Sequence, residues 1–157
     1  MKTKTIWVLV FPVMLLFFSG SSYAAQWTLC ASAPSGGRLY YDKSSVKNVD
    51  KNIIRVSNKF EYTSKIDKQS AHASLKRIKK APKNPDLMSH DLSVNEINCA
   101  ANTHRLVSVA FYDVKGKIIY SSAKTDKRWN RIVADSFMDE LKKTICGAYG
   151  GNKAKKK

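Results

Sequence analysis

The chain has 157 residues, with 28 Lys and Arg against 12 Asp and Glu for a formal charge of +16, and only three cysteines. Once an amino-terminal leader of 24 residues is set aside, 133 remain, enough for one hydrophobic core and too few for a second domain of ordinary size. So basic a chain favours polyanionic surfaces, and no acid, base and nucleophile with assignable geometry accompanies the charge to suggest a catalytic centre.

In chain order, Lys2 and Lys4 precede an apolar run over residues 6–18, then the small and polar stretch 19–25, the pattern of a secretory signal peptide. The run is 13 residues long, short of the roughly 20 that span a bilayer, and Pro12 interrupts it. Ser22 and Ala24 supply the small residues at minus three and minus one, which predicts cleavage before Ala25. Cys30 follows closely, but Trp27, Thr28 and Leu29 ahead of it are not the small residues of a lipoprotein signal, so the mature chain is expected to be unlipidated. It carries 26 basic and 12 acidic residues, a charge of +14. Residues 25–150 are expected to form one domain, and 151–157, with Lys153, Lys155, Lys156 and Lys157, a disordered basic tail.

Residues 26–31 and 38–42 read as short strands separated by the turn residues Pro34, Ser35, Gly36 and Gly37, and 42–46 as one helical turn capped by Asp42. In 52–62, Ile54, Val56, Phe60 and Tyr62 alternate with Arg55, Ser57, Lys59 and Glu61, the pattern of a sheet covered on one side. Residues 63–91 are charged, contain Pro82 and Pro85 and show no alternation; within them Ala71, Leu75 and Ile78 share a helical face ended by Pro82. Residues 94–122 read as the centre of the sheet. The strands 103–112 and 117–122 form a hairpin whose connection ends in Gly116, with Val107, Val109 and Phe111 on one face and Leu106, Ser108, Ala110 and Tyr112 on the other. Trp129 and Ile132 are expected to pack on the sheet. A final helix starts at the capping pair Ser136 and Asp139, buries Phe137, Met138, Leu141 and Ile145, and stops at Gly147.

Three cysteines in an exported chain imply one disulfide and one thiol left over. Cys99 ends a central strand and Cys146 ends the helix that must pack on it, so Cys99 to Cys146 is the expected bond. Cys30 is then a buried free thiol or the site of an intermolecular bond. No paired CxxC or HxxxH spacing gathers these cysteines with His72, His90 and His104 into a metal site, and no short motif makes a cysteine a nucleophile. A small nuclease using two histidines is the remaining catalytic reading, with nothing to fix their separation. Lys76, Arg77, Lys79 and Lys80 form a basic cluster of the kind that meets sulfated glycans or nucleic acid; the same residues also suit a solvated helix face.

The ordered set RLYYDKSSV, IIRVSNKFEY, INC, FYDVKGKIIYSS, Trp129, Ile132, Ser136 and a closing ICG resembles the surface-adhesin protein E family across most of residues 26–147. The resemblance implies an antiparallel sheet backed by a carboxyl-terminal helix, an envelope location in a Gram-negative bacterium, no enzymatic activity, binding of host matrix or serum proteins such as vitronectin and laminin, and dimerisation. The missing lipoprotein signal departs from that pattern and makes a soluble periplasmic role credible.

The expected fold is therefore α+β, an antiparallel sheet of about six strands packed against a carboxyl-terminal helix. The expected function is non-catalytic and adhesin-like, recognising an acidic partner (a host matrix protein, a sulfated glycan or an envelope component) through the basic surface, without a cofactor. A periplasmic accessory module that binds another envelope protein is the alternative, and a small secreted hydrolase the third.

Overall fold

The computed structural model describes residues 24–150; the expected leader up to residue 23 and the expected basic tail lie outside them. Eight antiparallel strands make one sheet. β1 (Trp27–Ser32), β2 (Arg38–Asp42), β4 (Ile53–Glu61), β5 (Met88–Asn98), β6 (Thr103–Asp113) and β7 (Ile118–Ser122) lie side by side in that order. β3 (Lys47–Asp50) pairs with β4 beyond the end of β2, and β8 (Asn130–Arg131) pairs with β6 beyond the end of β7. Two helices, α1 (Lys65–Arg77) and α2 (Phe137–Tyr149), cover one face. None of the described helices is long and apolar enough to cross a membrane.

The elements follow local chemistry. Between β2 and β3, Asp42 caps a 3-10 turn by accepting from the Ser44 amide at 2.9 Å and also ties down the Gln26 amide at 2.8 Å. The β6–β7 turn closes on Asp113, whose carboxylate accepts from the Lys115 and Lys117 amides while Gly116 takes a φ of 76°, a conformation that costs a residue without Cβ little. α2 begins where Ser136 accepts from the Asp139 amide, but it runs through Gly147 to Tyr149 and is capped at Gly150. Gly147 therefore does not end it. A Cβ there would meet nothing within 4 Å, so an exposed helical glycine is tolerated on the strength of the buried stripe.

The core has two parts. Under α2, Leu39, Tyr41, Ile54, Val56 and Ile97 from the sheet meet Ile132, Leu141 and Ile145. Under α1, Tyr62 and Met88 meet Ala71 and Leu75. Between them, on the same face, lies a buried polar ladder: Asn95 donates to Asn58 Oδ1 at 2.8 Å and Asn58 donates to Ser93 at 2.9 Å. Each amide nitrogen finds an acceptor inside the protein, which offsets the cost of burying three polar residues. A disulfide joins Cys99, just past β5, to Cys146 in α2, with Cα atoms 5.8 Å apart. Cys30 is the free thiol. It is half-buried against α2, 3.3 Å from the Thr144 hydroxyl, and burial raises its pKa above the ordinary thiol value despite that hydrogen bond.

Three expectations need correction. The region 63–91 is more regular than its charge suggested: α1 starts at Lys65, well before Ala71, on a full capping box, in which Ser64 and Asp67 satisfy each other's backbone amides, and β5 starts at Met88. The faces of β6 are not a simple alternation. A bulge leaves Val107 opposite no residue, so Leu106, paired with Asn95, turns to the same side as Val109 and Phe111. Finally, β3 and β8 raise the strand number from about six to eight; both are short, polar and exposed, and carry no hydrophobic pattern to read.

Candidate functional site

The helices leave part of their own sheet face open. Between α1 and the sheet's β6–β7 side runs a groove of 770 Å³, floored by Leu106, Val109, Phe111 and Tyr120 and walled by Ser74, Leu75 and Ile78 of α1. Its other wall is the connection after β7, residues 124–128, where Lys124, Lys127 and Arg128 are exposed. The bulge at Val107 is what brings Leu106 into this floor.

The four cations of the sequence cluster lie at the α1 end of the groove. Lys76 and Arg77 occupy the last turn of α1, where positive charge complements the helix carbonyls. Lys79 follows at a φ of 56°, and the Lys80 amide turns back to the Leu75 carbonyl at 2.9 Å, so the chain reverses while keeping the side chains outside. All four are exposed, and none is in an ion pair among the described residues. None of the four lines the groove itself; their neighbours in sequence, Leu75 and Ile78, do. The second wall escaped the sequence reading, although KTDKRWNR carries as many cations as LKRIKK, in a longer stretch and with Asp126 among them. Its signal was there, without a helical face to draw attention to it.

Three cations of the central strands, Arg55, Lys59 and Arg105, are engaged in ion pairs. On the face away from the helices, Glu96 is 2% exposed and holds Arg55 at 2.6 Å and Arg105 at 2.6 Å. Burial opposes its charge, but the hydrogen bonds from the two guanidiniums outweigh it and hold the carboxyl below the usual range. Arg105 in turn lies 4.6 Å over the Trp129 ring. Lys59 pairs with Glu61 at 2.7 Å and sits over the Tyr40 ring. A depression of 410 Å³ on this face, lined by Leu92, Val94, Ser108 and Ala110 among others, has no Lys or Arg in its lining.

The histidines are not brought together. His72 meets the Pro82 carbonyl at 2.8 Å and ties α1 to the loop after it. His90 stacks on Tyr112, with centroids 4.7 Å apart. His104 pairs across from Ile97, and seven residues of β5 separate that point from His90, roughly 23 Å of strand. Its buried Nδ1 has no partner. Among the described residues no three His, Cys, Asp or Glu side chains gather as a metal site would require.

The fold and the family model agree: the model of surface-adhesin protein E matches residues 27–147, which include every strand of the sheet and the α2 disulfide. The chain belongs to the surface-adhesin protein E family. Crystal form II of Haemophilus influenzae protein E is similar in fold, at 18% identity and a TM-score of 0.50, over 72% of this chain and 83% of that one. A selenomethionine form of the same protein aligns at 18% identity and a TM-score of 0.48, over 71% and 81% of the two chains. No curated protein matches the chain.

Proposed function

We propose that this family member is a non-catalytic, exported envelope protein that binds an acidic partner, with the groove beside α1 as its contact surface. One observation carries the reading: one wall of a single apolar groove holds the exposed cations Lys124, Lys127 and Arg128 around Asp126, and its other wall, Leu75 and Ile78 of α1, belongs to the segment that bears the unpaired Lys76, Arg77, Lys79 and Lys80. An apolar floor beside a basic wall, with further cations in the adjoining segment, suits a sulfated glycan or an acidic protein segment, because contact with the floor excludes water and strengthens each charge pair. The family name supports adhesion at a surface.

The test separates the two walls. Replacing Lys76, Arg77, Lys79 and Lys80 with Gln, or Lys124, Lys127 and Arg128 with Gln, is expected to weaken heparin binding roughly tenfold in each case and to flatten its salt dependence. Elution of both variants from immobilised heparin at the salt of the parent protein would reject the groove.

A second reading, a periplasmic module that binds another envelope protein, is favoured by one feature. Cys30 lies in β1 with its thiol 3.3 Å from the Thr144 hydroxyl of α2, which supports a thiol kept within the fold over one that carries a lipid anchor. Surface-protease accessibility on intact cells distinguishes the two locations.

A further inference from the structure

A second cavity opens at the other end of α1 and has the opposite electrostatic character. It measures 450 Å³ and is walled by the rings of Phe60, Tyr62, Phe111 and Phe137, with the carboxylates of Asp91 and Asp67 on its lining. Tyr62 donates to Asp91 Oδ2 at 2.5 Å, and Asp67 accepts from the Ser35 and Ser64 hydroxyls at 2.9 and 2.8 Å. Gly37 allows this crowding, since a Cβ there would lie 2.7 Å from the Phe60 ring and 3.1 Å from the Asp67 carboxyl.

The chain has more than twice as many basic as acidic residues, yet no Lys or Arg pairs with either carboxylate among the described residues. Withdrawing a carboxylate from water without a cation is unfavourable, and aromatic faces attract cations through their ring quadrupoles. We propose that this cavity is a binding site for an organic cation, an ammonium or guanidinium group received by Asp91 between the aromatic walls. Ile66, 69% exposed at the start of α1, gives an apolar lip along which the alkyl stem of such a group can lie. The site is independent of the basic groove, and the two share only Ser74 and Phe111 at their junction.

The bound form requires Asp91 to be ionised. Burial pushes its carboxyl up to about 6, against the opposing hydrogen bond from Tyr62. Tyr62 is held neutral by burial and by the Asp91 charge, and Asp67 stays below the usual carboxylate range because its hydrogen bonds outweigh its burial. The other residues lining the cavity are apolar or hydroxylic. Affinity for a cation is therefore present above about pH 6 and falls as Asp91 takes up a proton below it.

The test is amide NMR titration of the full chain with butylammonium, spermidine and a capped Gly-Lys-Gly peptide, with butanol and a Gly-norleucine-Gly peptide as neutral counterparts. The expected result is shift changes centred on Tyr62, Asp91 and Phe111, about tenfold weaker binding of the neutral counterparts, and a similar loss in Asp91→Asn and on going from about pH 7.5 to 5. Should Asp91→Asn fail to fold, Ser70→Lys, at an exposed position of α1 on the cavity wall, places a tethered ammonium there and is expected to abolish binding of the free probes. Tighter binding of the peptide than of butylammonium and spermidine assigns the cation to a partner protein; tighter binding of spermidine assigns it to a free polyamine. Absence of shifts at these amides, equal binding of the neutral counterparts, or undiminished binding in both variants would overturn the proposal. Heparin retention measured on the same samples reports separately on the basic groove.

Discussion

Reducing the Cys99–Cys146 bond, or replacing both cysteines with Ser, is expected to remove about 4 kcal/mol of stability and lower the melting temperature by roughly 10–20 °C. The bond closes a loop with a sequence separation of 47, so its loss returns that much conformational freedom to the unfolded chain. The position matters as well. The closed loop contains β6, β7, β8 and the groove wall, and the bond fixes the last turns of α2 to the end of the central strand β5. Cys30→Ala supplies the control, since its thiol touches only the edge of the same core and closes no loop; its cost is expected to stay near 1 kcal/mol. Thermal melts of the parent and both variants, with and without reductant, check this. A melting temperature that moves by less than about 3 °C on reduction would mean that α2 is held by packing of Leu141 and Ile145 alone.

The bond was legible because Cys99 ends a strand expected at the centre of the sheet and Cys146 lies in a helix whose apolar stripe, at period 3.6, must pack on that sheet. The same logic read β2, β4, the β6–β7 hairpin and α2, where burial on one side leaves its mark on the residues. It failed where the covered face is polar. Asn58, Ser93 and Asn95 are buried, but each satisfies another, so no apolar alternation marks the start of β5 at Met88, and only its second half was read as a central strand. It failed again at Val107, because a bulge exchanges the faces of a strand with no change in composition. Of the groove, the cations at the end of α1 stood out because a helix was expected there. Lys124, Lys127 and Arg128 belong to the same site only through the pairing of β7 and β8 along β6, a long-range relation that no local window contains. Asp91 was likewise hidden, since its meaning depends on Tyr62 across the β4–β5 pair and on Phe111 across the β5–β6 pair.

Glu96→Gln is expected to destabilise the protein by roughly 2–3 kcal/mol at neutral pH. Removing one member of a buried ion pair commonly costs about 3–5 kcal/mol, but the side chains of Arg55 and Arg105 are 45% and 30% exposed and can recover hydration, which lowers the figure. The pH dependence identifies the cause. The two guanidiniums hold the folded carboxyl below its unfolded value, so its contribution is complete above that unfolded value, about 4.3, and disappears as pH falls through the lower folded value. Denaturant midpoints of parent and variant should thus differ most at pH 6–7 and converge towards about pH 3; a gap that does not change with pH would assign the loss to packing. The effect reaches the groove through Arg105, which stacks on Trp129, the residue after Arg128. With Glu96 gone, Arg105 loses the carboxylate that orients it and Trp129 loses its cover, so the wall carrying Lys127 and Arg128 is freed at one end. The variant should therefore show altered tryptophan emission and weaker heparin retention although no residue of the groove has been changed, which ties the buried charge on one face of the sheet to recognition on the other.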